Sequence, residues 1–320
     1  MKFWETIVSA FLLCCFLSQS QNIYAAVSYG TNEPDYYLGF QDWFTSAEAG
    51  WQISFPIIGG RTESELNFNH IDSPITILRG GGNLDSEWSF DAAVGFGSIS
   101  GGRGTDTDRD LPYTGGVIVW SESKQDISGD VRFLEINLAH WERVQKNQKA
   151  PWGMAVGFLH YEDRLTITNG VQTVPAYSPI PGLNSTYDFY WNALKVSALH
   201  ERPLDESISF SSALSFYPYV NYYGEGYWNL RAGTNPTDFR LAPPNFTHKS
   251  TMGFGYEASL GFAYHFTDTA EFTAGYRYLY LKAKDGTDKV FFADGTVGIA
   301  NFDWVEVTRQ GAYAGFLFKF

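Results

Sequence analysis

Residues 102–111 read GRGTDTDRDL, which sets Asp106, Asp108 and Asp110 on alternate positions with Arg103 and Arg109 beside them. On an extended strand alternate side chains share a face, so the three carboxylates project together. Three chemistries fit that spacing. Crowded carboxylates raise the proton affinity of at least one member unless a cation compensates, and such a pair can hold and activate a water. Carboxylate oxygens also take hard cations such as calcium, though no glycine and glutamate follow here at EF-hand spacing. The third outcome is a solvated strand face, paired in part with Arg103 and Arg109.

Such residues need rigid elements to hold them, and the sequence supplies strands. The final ten residues, GAYAGFLFKF, place Ala312, Ala314, Phe316, Phe318 and Phe320 on one face and Gly311, Tyr313, Gly315, Leu317 and Lys319 on the other. The period is two, and one side is wholly apolar. In FGYEASLGFAYHF the stripe Phe254, Tyr256, Ala258, Leu260, Phe262, Tyr264 and Phe266 opposes Gly255, Glu257, Ser259, Gly261, Ala263 and His265. EFTAGYRYLY, EWSFDAAVGF and WGMAVGF repeat the pattern. One face suits lipid and the other a polar interior. A sheet can sit in lipid only when closed, because every edge amide must find a partner. The expected fold is therefore all-β, a transmembrane antiparallel up-and-down β-barrel.

Laid end to end, the alternating segments make about ten strands, near residues 36–56, 62–83, 87–108, 129–145, 152–168, 187–201, 206–224, 250–266, 270–285 and 301–320. Tight connections at NLDSE, NQKAP, RPLDE and FTDTA alternate with longer ones at 57–61, 109–128, 169–186, 225–249 and 286–300. Barrels of this kind have that asymmetry of turns and loops. Several strands exceed the roughly 9–11 residues that cross a bilayer, which implies long extracellular extensions. Asp91, Glu135, Lys195, Glu257, Arg277 and Arg309 stand on the inward parity, with Lys319 at the end of the series. Mixed charges inside a small barrel either form ion pairs that fill it or, as opposed rows, line a narrow conduit. About 8 strands leave room for side chains alone and aqueous pores use roughly 16–18, so about ten predict a narrow or plugged lumen. A further hairpin at GGVIVWSES, residues 115–123, would widen it. YPYVNYYGEGYW carries Tyr217, Tyr219, Tyr222, Tyr223, Tyr227 and Trp228 to the expected outer rim, as an interfacial girdle or a contact surface.

Composition agrees with strands: 18% of the 320 residues are aromatic and 32 are glycine. Residues 1–26 carry Lys2, an apolar run from Ile7 to Leu17, a polar stretch and Ala25-Ala26, the layout of a secretory signal peptide. Residues 27–320 are then one barrel domain. Cys14 and Cys15, the two cysteines, fall inside the leader behind bulky residues, which argues against a lipid anchor and leaves the mature chain without thiol or disulfide chemistry. No later apolar run reaches the roughly 18 residues of a membrane helix. An excess of 35 acidic over 22 basic residues opposes non-specific nucleic-acid binding. No cofactor and no metal is expected.

A terminal Phe with apolar residues at every second position before it resembles the C-terminal strand of Gram-negative outer-membrane barrels. That likeness implies residence in the outer membrane, contact with its lipid and lipopolysaccharide, and Phe316, Phe318 and Phe320 as a signal for the barrel-assembly machinery. About ten strands, tall walls and the segment RTESELNFNHIDSPITILRGGGNLDSEWSFDAAVGFGSISGGRGTDTDRD resemble the omptins, surface proteases of enteric bacteria. The omptin likeness implies a water held between an aspartate pair, Asp106/Asp108 or Asp108/Asp110, and an Asp–His couple on the facing wall. On that wall YPYVNYYGEGYWNLR offers Glu225 as its only acid and no histidine. His248 and His70 are the histidines expected on the outer side, as catalytic substitutes or as surface or girdle residues. The resulting expectation is a non-proteolytic barrel of omptin shape, serving as a narrow porin-like passage or a surface-binding or structural barrel. A divergent endopeptidase with an Asp-activated water is the second reading. Deletion of Phe320 is expected to impair assembly, seen as loss of the heat-modifiable band of folded barrel from outer-membrane fractions.

Overall fold

The computed structural model describes residues 36–85, 87–113, 115–142 and 152–320, so the expected leader and the NQKAP turn lie outside the described residues. The strands are β1 Tyr36–Ile57, β2 Gly60–Asn83, β3 Trp88–Ile99, β4 Gly101–Pro112, β5 Ile118–Trp141, β6 Trp152–Val174, β7 Ser178–Pro203, β8 Ile208–Tyr227, β9 Phe246–Ser250, β10 Met252–Thr267, β11 Ala270–Phe291 and β12 Val297–Lys319. All the strand pairs are antiparallel, and β12 returns to β1, which closes the sheet. β3 and β4 form successive halves of one stave between β2 and β5, and β9 and β10 form another between β8 and β11. Counted by stave, the ring has ten members, as the alternation predicts. Among the described residues no helix is long and apolar enough to cross a membrane.

The two-residue period sorts the side chains. Phe254, Tyr256, Leu260, Phe262, Phe316 and Phe318 are exposed on the outer face, while Glu257, Ser259, Tyr313 and Leu317 are buried within. This apolar belt lies toward the end that holds both Tyr36 and Phe320. Farther along, the outer wall carries the ion pairs Arg132–Asp130 at 2.9 Å, Arg164–Glu162 at 2.7 Å and Lys282–Glu306 at 2.8 Å. β1 has 22 residues. At about 3.4 Å per residue and a tilt of about 40°, such a strand outreaches a hydrocarbon core roughly 30 Å thick.

Much of the length expected in loops belongs to the walls instead. β5 begins at Ile118 and β7 at Ser178, and GGVIVWSES runs straight into β5 rather than forming a further hairpin. The reason is pairing: the β-branched and aromatic run Ile118-Val119-Trp120 lies beside β4, with Val119 opposite Arg109. Among the described residues one long connection remains, residues 228–245 between β8 and β9. It folds back as a strap, with bridges from Phe239 to Ala232 and Phe292 and with Arg240 N–H donating to Phe291 O at 2.9 Å.

The expected rim position of Tyr217 and Tyr222 is corrected, because both are buried in the barrel core, while Tyr219, also buried, pairs with Leu194 on the outward parity of β7. β8 spends one extra residue between Phe216 and Tyr219 against Leu194–Val196 of β7. That bulge lets residues of both parities turn inward. The Tyr217 hydroxyl donates to Glu257 at 2.7 Å.

The lumen is packed. Arg277 donates to Glu135 at 2.9 Å and Glu257 at 2.7 Å, and Lys195 donates to the same two acids at 2.6 and 3.4 Å. Arg309 reaches Tyr161, Thr45 and Asp163 at 2.6, 2.6 and 2.8 Å, Arg79 pairs with Asp91 at 2.9 Å, and Lys319 pairs with Glu271 at 2.8 Å. None of Arg277, Glu257, Lys195, Arg309 and Glu135 exceeds 4% exposure, so these charges form clusters rather than open rows. Glycine makes room for the rings beside them. A methyl added at Gly95 would sit 2.2 Å from the Phe133 ring, which explains the glycine-rich third stave.

Breaking a buried ion pair from one side strands the other charge, at a cost of about 3–5 kcal/mol. Arg277→Met is therefore expected to lower the midpoint of urea unfolding, followed by tryptophan fluorescence, more than Arg277→Lys does. Equal midpoints for both variants and the parent would contradict the clustering.

Candidate functional site

At the end of the barrel remote from the termini, the two strands flanking β4 fix what its aspartates meet. Register sets Asp106 between Leu66 of β2 and Ser123 of β5, and Asp108 between Ser64 and Ser121. Every cross-strand neighbour on this face is neutral. Arg109, of opposite parity, turns to the other face and pairs with Glu63 and Glu65. Arg103 pairs with Asp126. The expectation that these arginines offset the aspartates is thus corrected, since strand alternation sends Arg109 to the other side of the sheet. Asp110 accepts a hydrogen bond from the Thr62 hydroxyl at 2.6 Å.

Asp106 and Asp108 line a cavity of about 740 Å³ together with Trp51, Trp120, Trp228 and Phe239. The packed lumen lies below it, and the strap contributes part of its wall. Burial, followed by the charge on Asp108, pushes the Asp106 carboxyl up to about 7, and the Arg231 guanidinium of the strap pulls the other way. Arg231 itself lies over the Phe239 ring, 5.8 Å from its centroid.

His248 stands on β9 with 0% exposure, so the expected surface or loop position is corrected. Pairing of β9 with β8 and β11 fixes its backbone, and the imidazole packs edge-on to Trp51 at 4.6 Å and stacked on Phe302 at 4.4 Å. Nδ1 meets the Tyr187 hydroxyl at 2.7 Å, and that hydroxyl meets Tyr222 at 2.6 Å. Nε2 lies 3.2 Å from Asp288 Oδ1, off-line for a straight hydrogen bond.

Sequence reasoning missed Asp288. It lies directly opposite His248 across the β9–β11 pair, and both line the cavity that holds Asp106 and Asp108. Only the registration of β9, whose residues other than Ser250 fall in an expected loop, reveals this partnership. Two other candidates are not brought to the cavity. Glu225 alternates with the buried Gly224 and Gly226 and sits on the outer wall with Asp188 and Tyr223. His70 is exposed at a positive-φ kink, where β2 breaks register with β4.

A closed antiparallel ring with an apolar outer belt and a charged interior is an integral outer-membrane β-barrel. Within that class the chain belongs to the Pom family, the Protochlamydia outer membrane proteins, whose model matches residues 43–310. The fold is similar to that of the outer membrane protease OmpT from Escherichia coli, with a TM-score of 0.71 at 12% identity over 92% of this chain and 100% of that one. At such identity the likeness speaks for the fold alone. OprG, an outer membrane protein from Pseudomonas aeruginosa, aligns with a TM-score of 0.31 at 10% identity, over 91% of this chain and 98% of that one. The toluene transporter TodX from Pseudomonas putida likewise scores 0.31 at 10% identity, over 99% and 98%. Both scores are too low to bear on the fold. No curated protein matches the sequence.

A carboxyl that titrates near 7 is observable directly. Carbon-13 NMR of labelled aspartates is expected to show one resonance with a midpoint near 7, absent in Asp106→Asn. In Asp108→Asn the midpoint should fall, because a negative neighbour has been removed. A midpoint unmoved by Asp108→Asn would show that the two carboxylates do not interact.

Proposed function

We propose that this outer-membrane barrel is non-proteolytic, closed to solute passage, and binds a ligand from outside the cell in its mouth cavity. The enclosure of His248 carries this reading. An Asp-activated peptidase must present a basic nitrogen to a water beside its aspartates. Here Nδ1 is taken by Tyr187, Nε2 is turned onto Asp288, and the ring is shut between Trp51 and Phe302. A continuous aqueous path is opposed by the buried clusters around Arg277 and Arg309. A cavity of about 740 Å³ falls in the size range of small-molecule sites, roughly 300–1,000 Å³. In this reading the apolar belt contacts outer-membrane lipid and lipopolysaccharide, the mouth faces outward, and the Phe316–Phe320 segment engages the assembly machinery.

One observation favours the endopeptidase reading. His248 and Asp288 form an Asp–His couple on the same cavity as Asp106 and Asp108, supplied by β9 and β11 instead of β8.

Two assays on refolded protein decide between the readings. Planar bilayers are expected to show no stable conductance steps, and a basic fluorogenic peptide is expected to remain uncut. Cleavage lost in both Asp108→Ala and His248→Ala would establish the peptidase. Reproducible conductance would establish a passage.

A further inference from the structure

We propose that the mouth cavity takes an amphipathic organic cation, an apolar or aromatic body with one ammonium group, seated against Asp106 and Asp108. The proposal rests on the reading of this cavity as a binding site and names the chemistry of its ligand.

The first argument is a negative charge that one strap arginine offsets only in part. On the inner face Asp106 and Asp108 meet only Leu66, Ser64, Ser121 and Ser123 from the flanking strands. Glu65 and Glu122 lie opposite Thr107 and so face the other way. The neighbouring arginines are held by Glu63, Glu65 and Asp126. Arg231 of the strap lines the same cavity and pulls against the rise in Asp106 proton affinity without outweighing burial and Asp108, and across the cavity stand His248 and Asp288. Two half-buried carboxylates side by side therefore repel one another, and a cation placed between them relieves the repulsion.

An independent observation comes from Gln125. It is 6% exposed, lines the cavity, and lies opposite Gly104, two residues before Asp106. Its Nε2 donates to Ser123 at 2.5 Å, while Oε1 has no hydrogen-bond partner among the described residues. Asp288 Oδ1 is engaged by His248 Nε2 at 3.2 Å, so Gln125 Oε1 is the acceptor left open to the cavity. A buried carbonyl oxygen can only accept, so a complementary ligand must bring a hydrogen-bond donor, which an ammonium group supplies threefold.

The walls select the rest of the molecule. Trp51, Trp120, Trp228, Phe239 and Phe246 give the cavity aromatic surface, which favours an apolar body and attracts an ammonium to ring faces. A bare metal ion fits poorly. Calcium takes 6–8 oxygen ligands, and among the described residues no group of three or more His, Cys, Asp or Glu gathers to hold one. A neutral polyol would leave the carboxylate repulsion in place.

The matched pair phenethylamine and phenethyl alcohol isolates the ammonium, because the two have nearly the same shape. Isothermal titration into refolded barrel at about pH 8 is expected to show the amine binding at least about tenfold more tightly. The double variant Asp106→Asn/Asp108→Asn should erase that preference, while Arg109→Gln, on the outer face, should retain it; heat-modifiable mobility confirms that each variant is folded. Lowering the pH to about 5.5 should weaken the amine in the parent as Asp106 takes a proton, and less so in Asp106→Asn. Calcium chloride should compete no better than sodium chloride at equal ionic strength. Equal binding of amine and alcohol would end the cation assignment while keeping the cavity as a binding site, and so would amine binding indifferent to the double variant. Displacement by micromolar calcium would make the site a metal site. Failure of both probes would overturn the proposal, and conductance or peptide cleavage by the same preparation would overturn the reading beneath it.

Discussion

In lipid an unpaired amide has no water to turn to, so the last strand of this sheet must return to the first. The return of β12 to β1 closes ten staves, and that number sets a diameter that side chains fill. Charges carried inward by the two-residue period then have no solvent either. Arg277 and Lys195 between Glu135 and Glu257, and Arg309 against Asp163, are the outcome. Excellent geometry is required for such clusters to offset their desolvation, and the glycines beside Phe133 and Tyr313 supply the space for it.

The same period shapes the mouth. Aspartates at even positions of β4 face the cavity, and Arg109 at an odd position faces away, so neighbours in sequence become separated by the thickness of the sheet. Arg109 offers the acid pair no compensation for that reason, and what offset Asp106 receives comes from Arg231 of the strap. What distinguishes this end of the barrel from a plain rim is the strap, residues 228–245, which brings Trp228, Arg231 and Phe239 to the cavity.

The wall facing the aspartates draws on two staves. The histidine here comes from β9 and its carboxylate from β11, and the imidazole is packed among rings as part of the Tyr222–Tyr187–His248 chain.

The sequence by itself determined the barrel: alternation in GAYAGFLFKF and FGYEASLGFAYHF settles which face meets lipid, and the count of such segments settles ten staves. It also determined that Asp106, Asp108 and Asp110 share a face, because that depends only on strand geometry. Several features were decided by the tertiary structure alone. Tyr217 and Tyr222 went inside because of a bulge whose position depends on register with β7. Asp288 became the partner of His248, and Glu225 was left on the outer wall, because cross-strand neighbours are set by pairing between segments far apart in the chain. Local periodicity says which way a side chain points; only closure of the sheet says what it points at.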